Sequence, residues 1–302
     1  LGLAIVDEQH RFGVHQRLAL LDKAGAESIH AHQLIMTATP IPRTLAMTAY
    51  AGLETSVIDE LPPGRKPVTT VAISNERRSE VVSRVEAACG QGKQAYWVCT
   101  LIEESDAVQA QAAEDVAKEL TASLSGIQVG LVHGRMKPPE KQEIMARFKT
   151  GEIQLLVATT VIEVGVDVPN ASLMIIENAE RLGLAQLHQL RGRVGRGDQQ
   201  ASCVLLYSPP IGTLAKERLG ILRETSDGFR IAEKDLELRG PGEVLGTRQT
   251  GMLQFRVADL ARDQQLLDKI PPVADQLLAQ NPVQVDKLIA RWIGDSARFA
   301  GV

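Results

Sequence analysis

The feature that most constrains the fold of this chain is a regular alternation of apolar, strand-length runs with amphipathic helical segments between residues 68 and 208. Strands are predicted over 68–73, 94–100, 127–133, 153–159, 172–179 and 201–207, and helices over 76–90, 107–124, 138–151 and 182–190. Strands that alternate with helices form a parallel sheet with helices on both faces. A block of about 140 residues is also an ordinary size for one hydrophobic core. The sequence therefore predicts a single α/β domain here.

The residues before this block show a similar but shorter pattern. Two apolar runs, at 1–6 and 33–39, are typical of buried strands, and a helix is predicted after the second. The first run ends at Asp7 and Glu8. Open α/β sheets place their chemistry at the carboxyl ends of their strands, so these two carboxylates are predicted to lie at such an edge. A further short strand is predicted over 54–60.

Composition marks the domain boundaries. Residues 59–67 hold three prolines and a glycine, which predicts an extended linker. After residue 208 the strand pattern ends, and most of 209–302 is predicted to be helical apart from a glycine-rich break near 241–251. The predicted organisation is a leading segment at 1–58, the linker, an α/β domain at 68–208 and a helical module at 209–302. Because the chain begins with a leucine inside an apolar run, we expect it to be a piece of a longer protein.

Overall charge and aromatic content limit the ways in which this chain can bind nucleic acid. Lys and Arg number 33 against 37 Asp and Glu, which gives a net charge of −4, and aromatic residues make up 3%. Only local basic patches could contact phosphate, and a platform of stacked bases is not expected. No apolar run has membrane length and no leader opens the chain, so a cytoplasmic protein without membrane contact is expected.

The potential metal and redox ligands are few and scattered. Cys89, Cys99 and Cys203 form no CxxC pair, which favours reduced, buried thiols over zinc or a disulfide framework. His30 and His32 make an HxH pair, but no second ligand pair follows at metal spacing. A surface loop is the favoured interpretation of these two histidines.

A basic, glycine-rich segment, QLRGRVGRG at 189–197, follows the last predicted helix of the α/β block. Its arginines are Arg191, Arg193 and Arg196. Arginine binds phosphate through a planar fork of donors and stays charged, while the glycines allow close approach of the backbone. Taken alone, such a segment would more often be a solvated basic turn, because charge runs usually face water.

Five segments taken together resemble motifs II to VI of the superfamily 2 helicases: DEQH at 7–10, TATP at 37–40, VHGRM at 132–136, TTVIEVGVDVP at 159–169 and QLRGRVGRG at 189–197. That family folds as two RecA-like domains, with ATP in the cleft between them and nucleic acid across both. Residues 227–251 are similar to the translocation module of the RecG family and, in diverged form, of Mfd. The resemblance covers nearly the whole chain. It implies a RecA-like parallel sheet, a partial second RecA-like sheet and a helical carboxy-terminal module.

The resemblance also implies a set of nucleotide-side residues and cofactors. Asp7 would hold Mg²⁺ through water, and Glu8 would act on the hydrolytic water. Arg193 and Arg196 would reach the γ-phosphate of ATP across the cleft, with Gln189 in support. The remaining positions on this side are Gln9, His10, Gly165 and Asp167. ATP and Mg²⁺ are therefore the expected cofactors of the full-length protein.

A second set of residues is implied to contact DNA or to couple that contact to hydrolysis: Thr37, Thr39, His133, Arg135, Thr159, Thr160, Arg218, Arg239 and Gln249. Arg191 is left open between a structural role and a contact on the DNA side. The implied activity is an ATP-dependent motor that remodels branched DNA. Its expected partners are branched or duplex DNA and the amino-terminal wedge and Walker A domains of the same protein.

One part of an ATPase site is not in this sequence. No GxxxxGK[ST] occurs, and the nearest approach, at 90–94, lacks both the spacing and the hydroxyl. That loop supplies the amide cradle, the phosphate lysine and a Mg²⁺ ligand. The isolated chain is therefore predicted to have negligible ATPase activity. The alternatives are an Mfd-like motor that works with RNA polymerase, a non-catalytic DNA-binding module and an RNA-processing helicase.

Overall fold

A computed structural model describes the following residues of the chain: 2–7, 31–37, 56–58, 60, 62, 64–100, 106–159, 168–197, 199–239, 263, 266 and 269–292. The chain divides into two compact units, one made of residues 1–54 together with 239–302 and the other of residues 55–238. No helix in the described ranges is long and apolar enough to cross a lipid bilayer.

The smaller unit contains two parallel strands, β1 (Leu3–Asp7) and β2 (His32–Met36). Asp7 lies opposite Met36 in the register of the pair. Asp7 ends β1 and Thr37 directly follows β2, so both lie at the edge of this sheet where its strands end, its carboxyl edge. The predicted strands at 1–6 and 33–39 are confirmed in their described parts.

The larger unit is built on one parallel sheet. Its strands are β3 (Thr69–Ser74), β4 (Gln94–Cys99), β5 (Val129–Val132), β6 (Leu155–Thr159), β7 (Ala171–Ile176) and β8 (Ser202–Tyr207). Their order across the sheet is β3-β8-β7-β4-β6-β5. All neighbouring pairs are parallel, so every strand starts at one edge of the sheet and ends at the other. We call these the amino edge and the carboxyl edge.

The described residues of this unit include six α-helices: α1 (Arg78–Gly90), α2 (Asp106–Ser123), α3 (Pro138–Lys149), α4 (Leu184–Arg191), α5 (Thr213–Glu224) and α6 (Gly228–Arg239). Val81 and Val85 of α1 and Leu120 of α2 pack on one face of the sheet, in the same core as Trp97. α3 to α6 contribute to the core on the opposite face. Helices on both faces of a parallel sheet confirm the predicted RecA-like fold.

Helices α5 and α6 are part of this domain rather than a separate body. Leu219 and Leu222 of α5 and Ile231 of α6 are buried in the same apolar core as Leu187 of α4. The compact unit therefore runs past the predicted end of the α/β domain at residue 208. Their helical character was predicted from sequence, but amphipathic helices do not reveal which sheet they cover.

The short strand predicted over 54–60 is wrong for the residues that the structure describes there. Residues 56–58 have no regular structure, and Ile58 is 91% exposed. The apolar side chains of this segment have no sheet to pair with, so their local pattern does not give a strand. The remaining helices, α7 (Ile270–Gln280) and α8 (Pro282–Trp292), belong to the smaller unit and confirm the helical prediction for that region.

All three cysteines lie in the larger unit as buried free thiols. Burial raises the pKa of Cys89 to about 11 and that of Cys203 to about 12. Because the thiolate is the reactive form, these groups are inert at neutral pH.

Candidate functional site

Residues 192–200, which follow α4, form what we call the arginine loop, and this loop lies at the amino edge of the sheet. The Gly195 amide donates to the carbonyl of Ala171, the first residue of β7, at 3.4 Å. Gly195 also has a positive φ of 74°, which favours glycine. The backbone of Gly197 packs so closely on the carbonyl of Pro169 that a Cβ at this position would lie 2.7 Å from the oxygen. Two glycines thus hold the loop against the start of β7.

Three of the predicted nucleotide-side residues lie in this loop or in the helix turn before it. Gln189 lies in the last turn of α4 and is half-buried, as is Arg193, whereas Arg196 is exposed. Arg193 and Arg196 are separated only by the turn that contains Gly195. Gly165 and Asp167 lie outside the described residues.

Arg191 has a structural role. Its side chain is buried, with the residue 4% exposed, and Nη1 donates to the carbonyls of Leu222 at 2.9 Å and Thr225 at 2.8 Å. Nη2 lies 3.3 Å from the carbonyl of Ser226 and 3.0 Å from Nδ1 of His188. The guanidinium therefore ties α4 to the junction between α5 and α6. This resolves the choice that the sequence left open.

The predicted DNA-side residues of the domain follow strands at the carboxyl edge. His133 comes directly after β5, and its Nε2 lies 3.6 Å from Oε1 of Glu114 on α2. Arg135, two residues further on, is exposed. Thr159 ends β6, but it is only 2% exposed, and its hydroxyl has no hydrogen-bond partner among the described residues. Of these three predicted contacts, Arg135 is the one that the described structure presents to solvent.

Arg218 on α5 lies at the same edge but faces the protein. Its Nη1 donates to the carbonyl of Leu182 at 3.1 Å and its Nη2 to that of Glu180 at 2.9 Å. These carbonyls belong to the connection between β7 and α4, so Arg218 fixes α5 to that connection. Arg239 is the last residue of α6, and its side chain, like Thr160 and Gln249, lies outside the described residues.

The described members of the two sets that belong to the larger unit thus lie at opposite edges of its sheet. Arg193 and Arg196 are at the amino edge, whereas Arg135 and Thr159 are at the carboxyl edge. A six-residue strand such as β4 rises about 3.3 Å per residue, so roughly 20 Å separates the edges. The sequence pattern alone did not predict that these residues lie at opposite edges of the sheet.

In the smaller unit, Asp7 and Thr37 are exposed at the carboxyl edge of the two-stranded sheet. A carboxylate and a neighbouring hydroxyl at such an edge are suitable oxygen donors for a Mg²⁺ ion and its waters. Glu8, Gln9, His10 and Thr39 lie outside the described residues.

Sequence reasoning missed a charged cluster at the carboxyl edge. Arg78, the first residue of α1, donates from Nε to Oε1 of Glu177 at 2.7 Å and from Nη1 to Oε1 of Glu119 at 2.6 Å. Its guanidinium also lies 5.1 Å from the centre of the Trp97 ring. A glutamate directly after the apolar run of β7 was the available signal, because a buried carboxylate needs a partner.

Glu177 of this cluster follows β7, which is paired with β4, and the helices that follow these two strands pack on opposite faces of the sheet. Such switch points are the usual ligand sites of open α/β folds. Here Thr100 Oγ1 donates to the carbonyl of Glu177 and, at 3.2 Å, to that of Asn178, which has a positive φ of 48°. Thr100 and Glu177, which follow these two strands, thus both make contacts within the protein at this point.

Two family models match the chain. The helicase conserved C-terminal domain matches residues 79–198, and domain 3 of the ATP-dependent DNA helicase RecG, C-terminal part, matches residues 225–289. The first match covers the sheet from α1 to the arginine loop, and the second covers the helical residues beyond α5. The fold and the first match therefore place residues 79–198 among the conserved C-terminal domains of helicases, which are RecA-like.

Proteins that are similar to this chain along its whole length narrow the assignment from helicases in general to one family. The chain is 65% identical over 303 residues to the ATP-dependent DNA helicase RecG of Pasteurella multocida, covering 100% of this chain and 44% of the relative. It is 64% identical to that of Escherichia coli, covering 99% of this chain and 43% of the relative. The chain belongs to the RecG family, and it spans less than half the length of these relatives.

Solved structures agree with this assignment. A structure of RecG bound to a three-way DNA junction matches 88% of this chain and 33% of its own chain, with 45% identity and a TM-score of 0.66. The helicase Lhr of Mycobacterium smegmatis, bound to single-stranded DNA and AMP-PNP, has 20% identity and a TM-score of 0.52 over 73% of this chain and 31% of its own. The second likeness shows the fold alone.

Proposed function

We propose that this chain is the motor portion of an ATP-dependent double-stranded DNA translocase that remodels branched DNA, such as stalled forks and Holliday junctions, in recombination and repair. The observation that carries the proposal is the likeness of most of the chain to the RecG structure solved with a three-way DNA junction. The activity belongs in the cytoplasm, where its DNA substrate is. The partners would be branched DNA and the amino-terminal wedge and Walker A domains of the same protein.

On the nucleotide side, Arg193 and Arg196 would contact the γ-phosphate of ATP, with Gln189, Gly165 and Asp167 around them. The donor chemistry fits, because guanidinium forks match phosphate oxygens. An arginine in this role contributes about 10³ to 10⁵ in rate in related nucleotide hydrolases.

The smaller unit would hold the metal and the attacking water. Asp7 would bind Mg²⁺ through water, Glu8 would orient the hydrolytic water, and Gln9 and His10 would couple this site to the arginine loop. When bound, ATP would supply the phosphoryl group whose transfer to water drives movement, and Mg²⁺ would neutralise charge on the phosphate oxygens. Thr37 and Thr39 would join hydrolysis to DNA contact.

On the DNA side, the exposed Arg135 would contact the phosphate backbone beside His133, Thr159 and Thr160. Arg218, Arg239 and Gln249 would link the motor to the duplex through the helical module. The separation of the two edges supports this division, because it lets one domain meet nucleotide and DNA without overlap.

The test is ATP-dependent unwinding of a synthetic fork by the full-length protein. Arg193→Ala should lower turnover by about 10³-fold or more while leaving fork affinity within about twofold. Arg135→Ala should weaken fork binding and lower the salt slope of log K by about one unit. A protein that prefers RNA duplexes, or binds RNA polymerase rather than forks, would not be the proposed motor.

We also propose that the isolated 302-residue chain does not hydrolyse ATP. It has no P-loop to cradle the β- and γ-phosphates, so the arginine loop has no bound nucleotide to act on. DNA-stimulated hydrolysis by this chain, lost on Arg193→Ala, would overturn this.

The same missing loop favours a second candidate function, a non-catalytic DNA-binding module. Joining the chain to the amino-terminal part of the protein separates the two functions. Fork-dependent turnover by the joined protein supports the motor, whereas fork binding without turnover supports the binding module.

A further inference from the structure

The interdomain linker makes direct contacts with the arginine loop. At the far end of the loop, Gln200 Nε2 donates to the carbonyl of Pro67 at 2.9 Å and lies 3.3 Å from Oγ1 of Thr69. The backbone continues the contact, because the Thr69 amide donates to the carbonyl of Ala201 at 3.0 Å. The linker and the end of the loop are thus joined by side-chain and backbone hydrogen bonds.

The start and the middle of the loop touch the linker as well. Arg65 Nη2 lies 3.5 Å from the carbonyl of Gly192, and a Cβ on Gly195 would lie 3.2 Å from Cγ2 of Val68. A turn closed by the Arg65 amide on the carbonyl of Pro62, at 3.1 Å, directs the linker along this path. The segment 64–68 therefore spans the loop from its first residue to its last.

Arg193 and Arg196 lie between these contact points in sequence. Their positions depend on the path of the loop backbone, which the linker supports on one side and Pro169 on the other. The linker is also the covalent connection to the residues that precede the domain. A shift of the linker would accordingly move the arginine pair.

We propose that Gln200 is a positioning residue for ATP hydrolysis, which fixes the linker to the arginine loop so that Arg193 and Arg196 are aligned for the γ-phosphate. This inference rests on the proposed ATPase function. Gln200 touches neither the reacting atoms nor the phosphate, but acts through the loop that carries the arginines. Small misplacements of catalytic groups are costly, since a shift of about 1 Å can lower a rate about 100-fold.

The decisive variant is Gln200→Glu in the full-length protein. It keeps the size of the side chain but replaces the donor with an acceptor that faces the carbonyl of Pro67. The matched control is Gln199→Glu, which makes the same change of charge at the adjacent residue, exposed as Gln200 is. We expect Gln200→Glu to lower kcat for fork-stimulated ATP hydrolysis by about tenfold, with KM for ATP within about twofold. Gln199→Glu should match the wild type.

A double-mutant cycle with Arg193→Ala tests whether Gln200 acts through the arginines. If it does, adding Gln200→Glu to Arg193→Ala lowers kcat by much less than the roughly tenfold expected in the wild type, because groups that act as a unit are not additive. Independent, multiplicative losses would overturn the proposal. So would equal kcat values per folded enzyme for the two glutamate variants, including a case in which Gln200→Glu lowers only the Tm.

Measurement of the wild-type protein separates a failure of the proposed function from a failure of the positioning role of Gln200. A full-length wild-type protein with no fork-stimulated hydrolysis contradicts the proposed function. An active wild type with a Gln200→Glu variant that equals Gln199→Glu contradicts only the positioning role.

Discussion

Nη2 of Arg191 lies 3.0 Å from Nδ1 of His188, and this pair fixes the protonation of the ring. A guanidinium can only donate, so Nδ1 must accept and the imidazole must be neutral. Burial, and then the charge of Arg191, lower the pKa of His188 to about 4.

Stability of the chain should therefore fall as pH falls from about 6.5 towards 4. In this window the unfolded chain binds a proton at His188 that the folded state does not, so the histidine's contribution is complete above pH 6.5 and lost towards pH 4. The loss attributable to this residue should be on the order of 2–3 kcal/mol. Urea unfolding at several pH values checks this. The control is His188→Gln, which can still accept from Arg191 but does not titrate, so its stability should lack this part of the pH dependence. An equally steep loss in that variant would assign the effect to other groups.

Replacement of Arg191 should destabilise the domain strongly. Arg191→Met would leave the carbonyls of Leu222, Thr225 and Ser226 without their donor, at an expected cost of about 2–4 kcal/mol. Arg223→Met, at an exposed position on the adjacent helix, is the control and should change little. The midpoint and slope of urea unfolding measure both. A near-neutral Arg191→Met would mean that water replaces the guanidinium.

Gly197→Ala should disturb the arginine loop, because the new methyl group would meet the backbone oxygen of Pro169. Relief requires the loop to move, with an expected loss of about 1–3 kcal/mol. Gly212→Ala is the natural comparison, since a Cβ at Gly212 has no atom within 4 Å and the backbone there is extended. Thermal unfolding of the two variants distinguishes a steric effect from a general response to alanine.

Replacement of Arg78 should destabilise the domain, whereas replacement of the adjacent Arg77 should not. Arg78→Gln would leave Glu177, whose side chain is 14% exposed, without its cation, and should cost about 2–4 kcal/mol after allowance for partial solvation. Arg77 forms an exposed pair with Glu80 on the same helical turn, so Arg77→Gln should leave the unfolding curve unchanged. Fluorescence of Trp97 should shift only in the Arg78 variant, because only that guanidinium lies over its ring.

The three buried thiols should resist alkylation in the folded chain. At pH 8, Cys89 and Cys203 should react with iodoacetamide far more slowly than in urea, since burial both blocks access and raises the pKa. Mass spectrometry of peptides after timed labelling gives the rate at each residue. Rapid labelling of Cys203 without denaturant would show that the sheet opens readily.

The strands and helices of the α/β domain were predictable because the apolar residues in each segment recur with the period of a strand or of a helix. The segment predicted as a strand over 94–100 is Gln94–Cys99, and the helix predicted over 138–151 is Pro138–Lys149. The strand order was not predictable, since it depends on contacts between residues far apart in sequence. The structural role of Arg191 was not predictable for the same reason, because the carbonyls of Leu222 and Thr225 lie more than thirty residues further along the chain. The arginine pair was predicted from a motif, whereas its support by Gln200 required the structure.

The parallel sheet has a mechanical consequence. Its interior is filled on both faces, with Trp97, Leu156, Val157 and Ile175 at most 1% exposed, and close-packed interiors of this kind are stiff. A push at the arginine loop cannot be absorbed by compression of the strands. A displacement of the loop should therefore move the whole domain as a rigid body, so that the two edges, roughly 20 Å apart, move together.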